Sequence, residues 1–162
     1  MIRAAVITVS DKGSRLERLD ESGPAVAEIL RGAGMSVERT VMVPDEQDQI
    51  RDLLVRLSDE ERFDLIITTG GTGVSPRDVT PDATLAVIDR EIPGMGEAMR
   101  RESAAKTPHA VISRATAGIR GASLVLNLPG SPKGAVENLL VVLSALEHAI
   151  EKIKGDGRDC SA

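Results

Sequence analysis

Aromatic side chains are almost missing from this chain of 162 residues: Phe63 is the single one, and there is no Trp and no Tyr. That excludes binding modes that stack bases on several rings, as single-strand nucleic-acid binders and RNA-recognition sheets do. It also removes tyrosine as a nucleophile or acid. A ring-bearing ligand must rest on main chain, aliphatic groups or Arg planes, and the core must be built from Val, Ile, Leu, Ala and Met. Cysteine is nearly absent too. Cys160 stands alone two residues before the end, which excludes an intrachain disulfide and a multi-cysteine metal site. His109 and His148 are far apart in sequence and make no metal motif. Positive charge is not in excess, with 20 Lys and Arg against 25 Asp and Glu, a net of −5. A general binder of phosphate backbones would show a basic stripe. A small phosphorylated ligand needs only a few local donors and stays open. No apolar run approaches the roughly 20 residues of a membrane span. The first residues read as a strand and not as a signal peptide. The expectation is a cytoplasmic protein with neither nucleic acid nor membrane as partner.

What is present alternates between strand and helix. Residues 4–9 are apolar and β-branched and end in Ser10-Asp11. Gly23-Pro24 opens a helix carrying Val26, Ile29 and Leu30. Residues 35–43 are extended, and Pro44-Asp45-Glu46 starts a second helix with Ile50, Leu53, Leu54 and Leu57 on one face. Residues 63–69 form another apolar strand that runs into Gly70-Gly71-Thr72-Gly73. Thr80 reads as an N-cap with Pro81 at the first helical position. A further helix is expected over residues 96–103, short strands over 117–120 and 123–128, and a last helix over 135–152. That last helix carries Val136, Leu139, Leu140, Leu143, Leu146, Ile150 and Ile153 on one stripe. The order predicts one α/β domain over residues 1–155, a parallel sheet with helices on both faces, with residues 156–162 as a polar, mobile tail. Ligands of such sheets bind beyond the carboxyl ends of the strands.

The chemistry therefore concentrates in four loops: Ser10-Asp11, Pro44-Asp45-Glu46, the segment from Gly70 to Asp82, and the turn around Pro129. Three glycines in four residues let backbone N–H groups approach an anion, with Thr69 and Thr72 as extra donors. The segment lacks the Gly-Lys-Ser/Thr of a P-loop and the third glycine of the dinucleotide fingerprint. A tight strand-to-helix turn is the alternative. Asp45, Asp78 and Asp82 suit Mg²⁺, a hard ion that prefers oxygen ligands; helix capping is the other reading for each. Arg77, Arg114, Arg120 and Lys133 are candidate phosphate partners or solvated surface charges. Pro129, Gly130, Ser131 and Pro132 form either a rigid platform for a flat ring or a stiff connection.

Taken together, these residues resemble the molybdopterin adenylyltransferases, the family of the bacterial Mog and MoaB proteins and of the G domain of gephyrin. The resemblance rests on Thr69-Gly-Gly-Thr-Gly73 followed by Arg77-Asp-Val-Thr-Pro-Asp-Ala-Thr84. Pro44-Asp45-Glu46, Arg90-Glu-Ile-Pro-Gly94, Ser113-Arg114, Gly118-Ile-Arg120 and Asn127-Leu-Pro-Gly-Ser-Pro132 match as well. It covers residues 7 to about 155 and is weakest over residues 16–20, which carry none of the family's motif. It implies an α/β three-layer sandwich around a mostly parallel sheet, and a homotrimer that joins ATP and molybdopterin, releases pyrophosphate and requires Mg²⁺. It implies Asp45 and Asp78 as catalytic and metal-binding residues. It also implies a nucleotide and pterin site at Thr69, Gly70, Gly71, Thr72, Gly73, Asp82, Ser113, Arg114, Pro129, Gly130, Ser131 and Pro132, and a hand-over to a molybdate-inserting protein.

Such a reaction suits a chain with no Ser-His or Cys-His pair. The attacking group is an already ionised phosphate, so charge neutralisation and in-line placement are what the protein must supply. Two other readings compete. One is a non-catalytic pterin-binding or assembly module of the same superfamily; binding without pyrophosphate release would mark it. The other is a molybdate-inserting relative, which normally carries extra domains for which this chain has no room.

Overall fold

The computed structural model describes residues 1–155 and Gly157. Cys160 and the rest of the expected polar tail lie outside the described residues. Six strands form one sheet: β1 (Arg3–Val9), β2 (Ser36–Val43), β3 (Leu65–Thr69), β4 (Arg90–Glu91), β5 (Ala117–Arg120) and β6 (Ser123–Leu128). Six α-helices connect them: α1 (Asp11–Ser14), α2 (Ser22–Gly32), α3 (Gln47–Val55), α4 (Thr80–Leu85), α5 (Pro93–Ala104) and α6 (Pro132–Ile153). The strand order is β2-β1-β3-β6-β5-β4. The first four are mutually parallel, and β5 and β4 add an antiparallel edge.

The three layers follow from strand alternation, since successive side chains point to opposite faces. In β1, Ala4 and Val6 face one way, where they join Val26 and Leu30 of α2, Met99 of α5, and Leu139, Leu146 and Ile150 of α6. Ala5, Ile7 and Val9 face the other way, onto Ile50, Leu53 and Leu54 of α3 and Ala83 of α4. Both faces are covered, so β1, β3 and β6 read as continuous apolar runs. The expected fold class is the observed one.

Several details differ from the sequence reading. Leu140 is more than half exposed, so the apolar stripe of α6 runs through Ala135, Leu139, Val142, Leu146 and Ile150 instead. Thr80 is not a cap: Val79 precedes the helix, and the Thr80 hydroxyl donates to the carbonyl of Gly70 at 2.8 Å. The short α1, a π-turn at Arg56–Glu60, the two-residue β4 and a 3-10 turn at Pro108–Ile112 were not expected. Each is a single turn or a two-residue edge, too short to leave a periodic pattern. Phe63 is buried just ahead of β3, with the Arg3 guanidinium 4.9 Å above its ring. It lies at the amino-terminal end of the sheet, as the sequence reading expected.

The chain leaves β1 for β2 on one side and then returns to β3 on the other. The sheet therefore has its topological switch point between β1 and β3, the position where open α/β sheets form a ligand crevice.

Candidate active site at the carboxyl ends of the strands

At that switch point lies a cleft of about 720 Å³. Its walls come from the ends of β1 and β3, the glycine loop, Asp45, Asp78 and the turn at Gly130-Ser131-Pro132. The loop leaves β3 through Gly70 and Gly71, with φ of +107° and +64°. A side chain at Gly70 would drive its Cβ into the carbonyl oxygen of Val9. The loop is fastened on three sides. Gly70 donates its N–H to Leu128 at 3.0 Å, Thr69 donates its hydroxyl to Pro129 at 2.6 Å, and the N–H of Thr80 reaches the Gly71 carbonyl at 3.1 Å. The N–H groups of Gly71, Thr72 and Gly73 make no hydrogen bond with any described residue. Fixed backbone with free donors is the condition for holding an anion.

Two carboxylates stand directly against these glycines. A Cβ on Gly71 would lie 2.9 Å from Oδ1 of Asp45, and one on Gly73 would lie 2.8 Å from Oδ2 of Asp78. Asp45 sits between β2 and α3 and is locked to Asp11 by reciprocal bonds. The Asp11 N–H donates to Oδ2 of Asp45 at 2.8 Å, and the Asp45 N–H donates to Oδ1 of Asp11 at 3.1 Å. Asp78 accepts from the N–H of Ser75 at 2.9 Å. Burial raises the Asp45 carboxyl above the usual carboxylate range, and the nearby charges of Asp11 and Asp78 add to the rise.

The sequence-predicted bases take other places. Arg77 is forked onto Asp11, with both contacts at 3.0 Å, and reaches Glu46 at 2.8 Å. It holds Asp11 below the usual carboxylate range. Arg114 is bidentate on Asp82, at 3.1 and 2.9 Å, and donates to the carbonyls of Gly73 and Asp78. Its charge likewise lowers the Asp82 carboxyl. Arg120 pairs with Asp59. Arg114 and Asp82 thus brace the back of the glycine loop, and neither lines the cleft. Lys133 lines neither the cleft nor the smaller cavity behind it. That cavity, of about 280 Å³, adjoins Thr72, Gly73, Ser113, Pro129 and Ser131. The structure therefore brings Asp45, Asp78, Thr69, Gly70, Gly71 and Gly130 to Pro132 together, and sets Thr72, Gly73 and Ser113 on the far side of the loop.

The sequence places Asp11 in a candidate loop without a partner and marks no role for Asp20. Asp20 accepts the Thr8 hydroxyl at 2.7 Å and caps α2 through the N–H of Gly23 at 3.0 Å. An Asp three residues ahead of Gly23-Pro24 is a helix-start signal that could have located it. Nothing local marks Asp11 as the partner of Asp45, 34 residues away.

The donor set fits a divalent magnesium ion. Asp45 and Asp78 are hard oxygen donors on one cleft; burial chiefly, with the charges of Asp11 and Asp78 in addition, disfavours the Asp45 carboxylate, and a bound cation offsets both. Among the described residues no three His, Cys, Asp or Glu side chains converge to hold a metal alone. Mg²⁺ characteristically keeps water and substrate phosphates for the remaining positions.

A crevice at the switch point, a fastened glycine loop with free donors and two carboxylates beside it give this α/β domain the geometry of an anion-binding site. The family described as "Probable molybdopterin binding domain" matches residues 5–148, and the chain belongs to it. The molybdopterin adenylyltransferase of Escherichia coli strain K12 is 46% identical over 141 residues, covering 85% of this chain and 72% of that protein. The one from Helicobacter pylori strain J99 is 40% identical over 157 residues, covering 96% and 89%. The crystal structure of the molybdopterin biosynthesis enzyme MoaB from Thermus thermophilus superposes with a TM-score of 0.91 at 49% identity, covering 96% of this chain and 98% of that one. No helix among the described residues is long and apolar enough to cross a membrane.

Proposed function

We propose that this chain is a molybdopterin adenylyltransferase of molybdenum cofactor biosynthesis. A terminal phosphate oxygen of molybdopterin attacks the α-phosphorus of ATP. A new P–O bond forms, the α–β bond breaks, and pyrophosphate leaves with the bonding electron pair. The observation that carries this reading is the meeting of Asp45 and Asp78 with the fastened glycine loop and the free N–H of Gly71 at one switch-point cleft.

The free backbone N–H of Gly71, on the cleft side of the loop, binds a phosphate oxygen and holds the phosphate chain in line. The Gly130-Ser131-Pro132 turn and the glycine loop supply peptide planes on which the rings rest. Asp45 and Asp78 would hold Mg²⁺, which supplies charge neutralisation between the two polyanions. Asp11, itself fixed by Arg77, keeps Asp45 aimed into the cleft. No protein base is required, because the nucleophile is already ionised. The reading further includes a homotrimer, with the exposed Val111 and Ile112 as apolar surface available for assembly. It also includes a cytoplasmic site of action and hand-over of the product to a molybdate-inserting protein.

The test is pyrophosphate release from ATP in the presence of molybdopterin. Asp78→Asn retains the Ser75 contact and the fold but removes one metal-binding charge, so turnover falls by a large factor. Near wild-type turnover in Asp78→Asn sinks the assignment of Asp78, and binding of both substrates without release sinks the enzymatic reading.

A further inference from the structure

The cleft must receive phosphate, yet its lining is acidic. Among the described residues Asp20, Glu21, Asp45 and Asp78 are its carboxylates, and Arg18 is its one basic side chain. The arginines named above are engaged elsewhere, by Asp11 and Glu46, by Asp82 and by Asp59. Arg18 forms no ion pair or hydrogen bond with any described residue. It stands in the segment 15–20, between a fixed start and a fixed end. The start is held by bonds from the N–H of Leu16 to Gly13 and from that of Glu17 to Lys12. The end is held by Asp20 on Thr8 and Gly23. Between them Leu16 adopts φ +60°, a left-handed conformation that costs a branched side chain energy. Leu16 and Leu19 are 93% and 82% exposed.

We propose that Arg18 is the chain's own phosphate-binding cation, and that the segment 15–20 is a strap that settles over the bound substrate. The ligand chemistry is a phosphate oxyanion. A guanidinium presents a planar fork that matches two phosphate oxygens. Only a cation with no carboxylate of its own is free to turn onto a ligand. The strained turn and the exposed leucines give the strap a reason to rearrange: closing brings Arg18 inward and lets Leu19, which already lines the cleft, cover the ring-bearing part of the substrate. This proposal rests on the adenylyl-transfer reading for the identity of the phosphate.

The test uses the full chain with Mg²⁺. Binding of ATP and of inorganic pyrophosphate is measured by calorimetry, and the KM for molybdopterin by pyrophosphate release. The proteins are wild type, Arg18→Ala, Arg18→Lys, and Arg101→Ala as a control on an exposed arginine of α5. Because Arg18 makes no hydrogen bond or ion pair with any described residue, the melting temperature of Arg18→Ala stays that of wild type. A charged hydrogen-bond pair to phosphate implies a loss of about tenfold or more. Arg18→Lys keeps part of it, and Arg101→Ala changes nothing. Weaker ATP and pyrophosphate binding assigns the contact to the nucleotide. Unchanged ATP affinity with a raised KM for molybdopterin assigns it to the pterin phosphate. If Arg18→Ala matches wild type in both arms, the proposal is overturned and the adenylyl-transfer reading stands. If wild type binds neither ATP nor pyrophosphate, that reading falls and takes the proposal with it.

Discussion

Gly70 and Gly73 lie three residues apart in one loop, yet the same substitution should act on them in opposite ways. At Gly73 the backbone is ordinary, and an added methyl meets only the end of a side chain, Oδ2 of Asp78 at 2.8 Å. The carboxylate must retreat by roughly half an ångström to reach normal contact. That movement also loosens its bond from the Ser75 N–H. Gly73→Ala therefore costs at most about 1 kcal/mol of stability. A misplacement of about 1 Å at a reacting centre costs on the order of a hundredfold, so a shift half that size lowers kcat by about ten- to a hundredfold. At Gly70 the added methyl meets a backbone carbonyl that has nowhere to go, at φ +107°. Backbone strain and overpacking cost roughly 1–3 kcal/mol each. Gly70→Ala thus removes about 2–6 kcal/mol from a total that is typically about 5–15. The assay pairs urea unfolding with pyrophosphate release. A fully active Gly73→Ala protein would refute the claim that Asp78 is positioned by that glycine, and an unshifted unfolding midpoint in Gly70→Ala would refute the account of the loop.

Three further outcomes follow from the same geometry. Asp45 has its carboxyl raised by burial and by neighbouring charges, so the folded state holds its proton more tightly than the unfolded state. Its stabilising contribution is complete below the usual carboxylate range and is lost as pH rises through the folded value. Asp45→Asn is therefore more stable than wild type at pH 7, by about 1 kcal/mol or less because water partly screens the site, and the gain disappears in acid while turnover is lost at every pH. Asn127 is fully buried and donates to the hydroxyls of Thr68 and Thr84 at 2.9 Å. Asn127→Ala leaves both hydroxyls without their donor and opens a cavity, at about 2–4 kcal/mol by urea unfolding with an unchanged slope. Arg114→Ala breaks an exposed ion pair worth under about 1 kcal/mol. It also frees the carbonyls of Gly73 and Asp78, so catalysis suffers far more than the melting temperature.

The strands and long helices were legible because burial on both faces writes unbroken apolar runs into β1, β3 and β6, and because each helix has a clear apolar stripe. Strand order and the antiparallel edge were not, since β4 is two exposed residues and pairing partners leave no local mark. The glycine loop and Asp45 and Asp78 could be named from their motifs. What each cation does could not. Arg77 and Arg114 look alike in sequence as phosphate ligands, and only three-dimensional contact assigns them to Asp11 and Asp82. Arg18 is illegible in the sequence for the opposite reason: a side chain on an irregular segment has no periodicity and no motif to announce it. Asp11 escaped because its partner is set by strand pairing between β1 and β2.

The lone Phe63, shut away at the amino-terminal end of the sheet under Arg3, has an optical consequence. With no Trp and no Tyr, the protein is nearly silent in near-ultraviolet absorption and in fluorescence. Whatever a purified sample absorbs or emits there belongs to what it carries. A nucleotide or a pterin in the cleft can be watched directly against a dark background, and one Trp placed on the strap would report its movement with no competing signal.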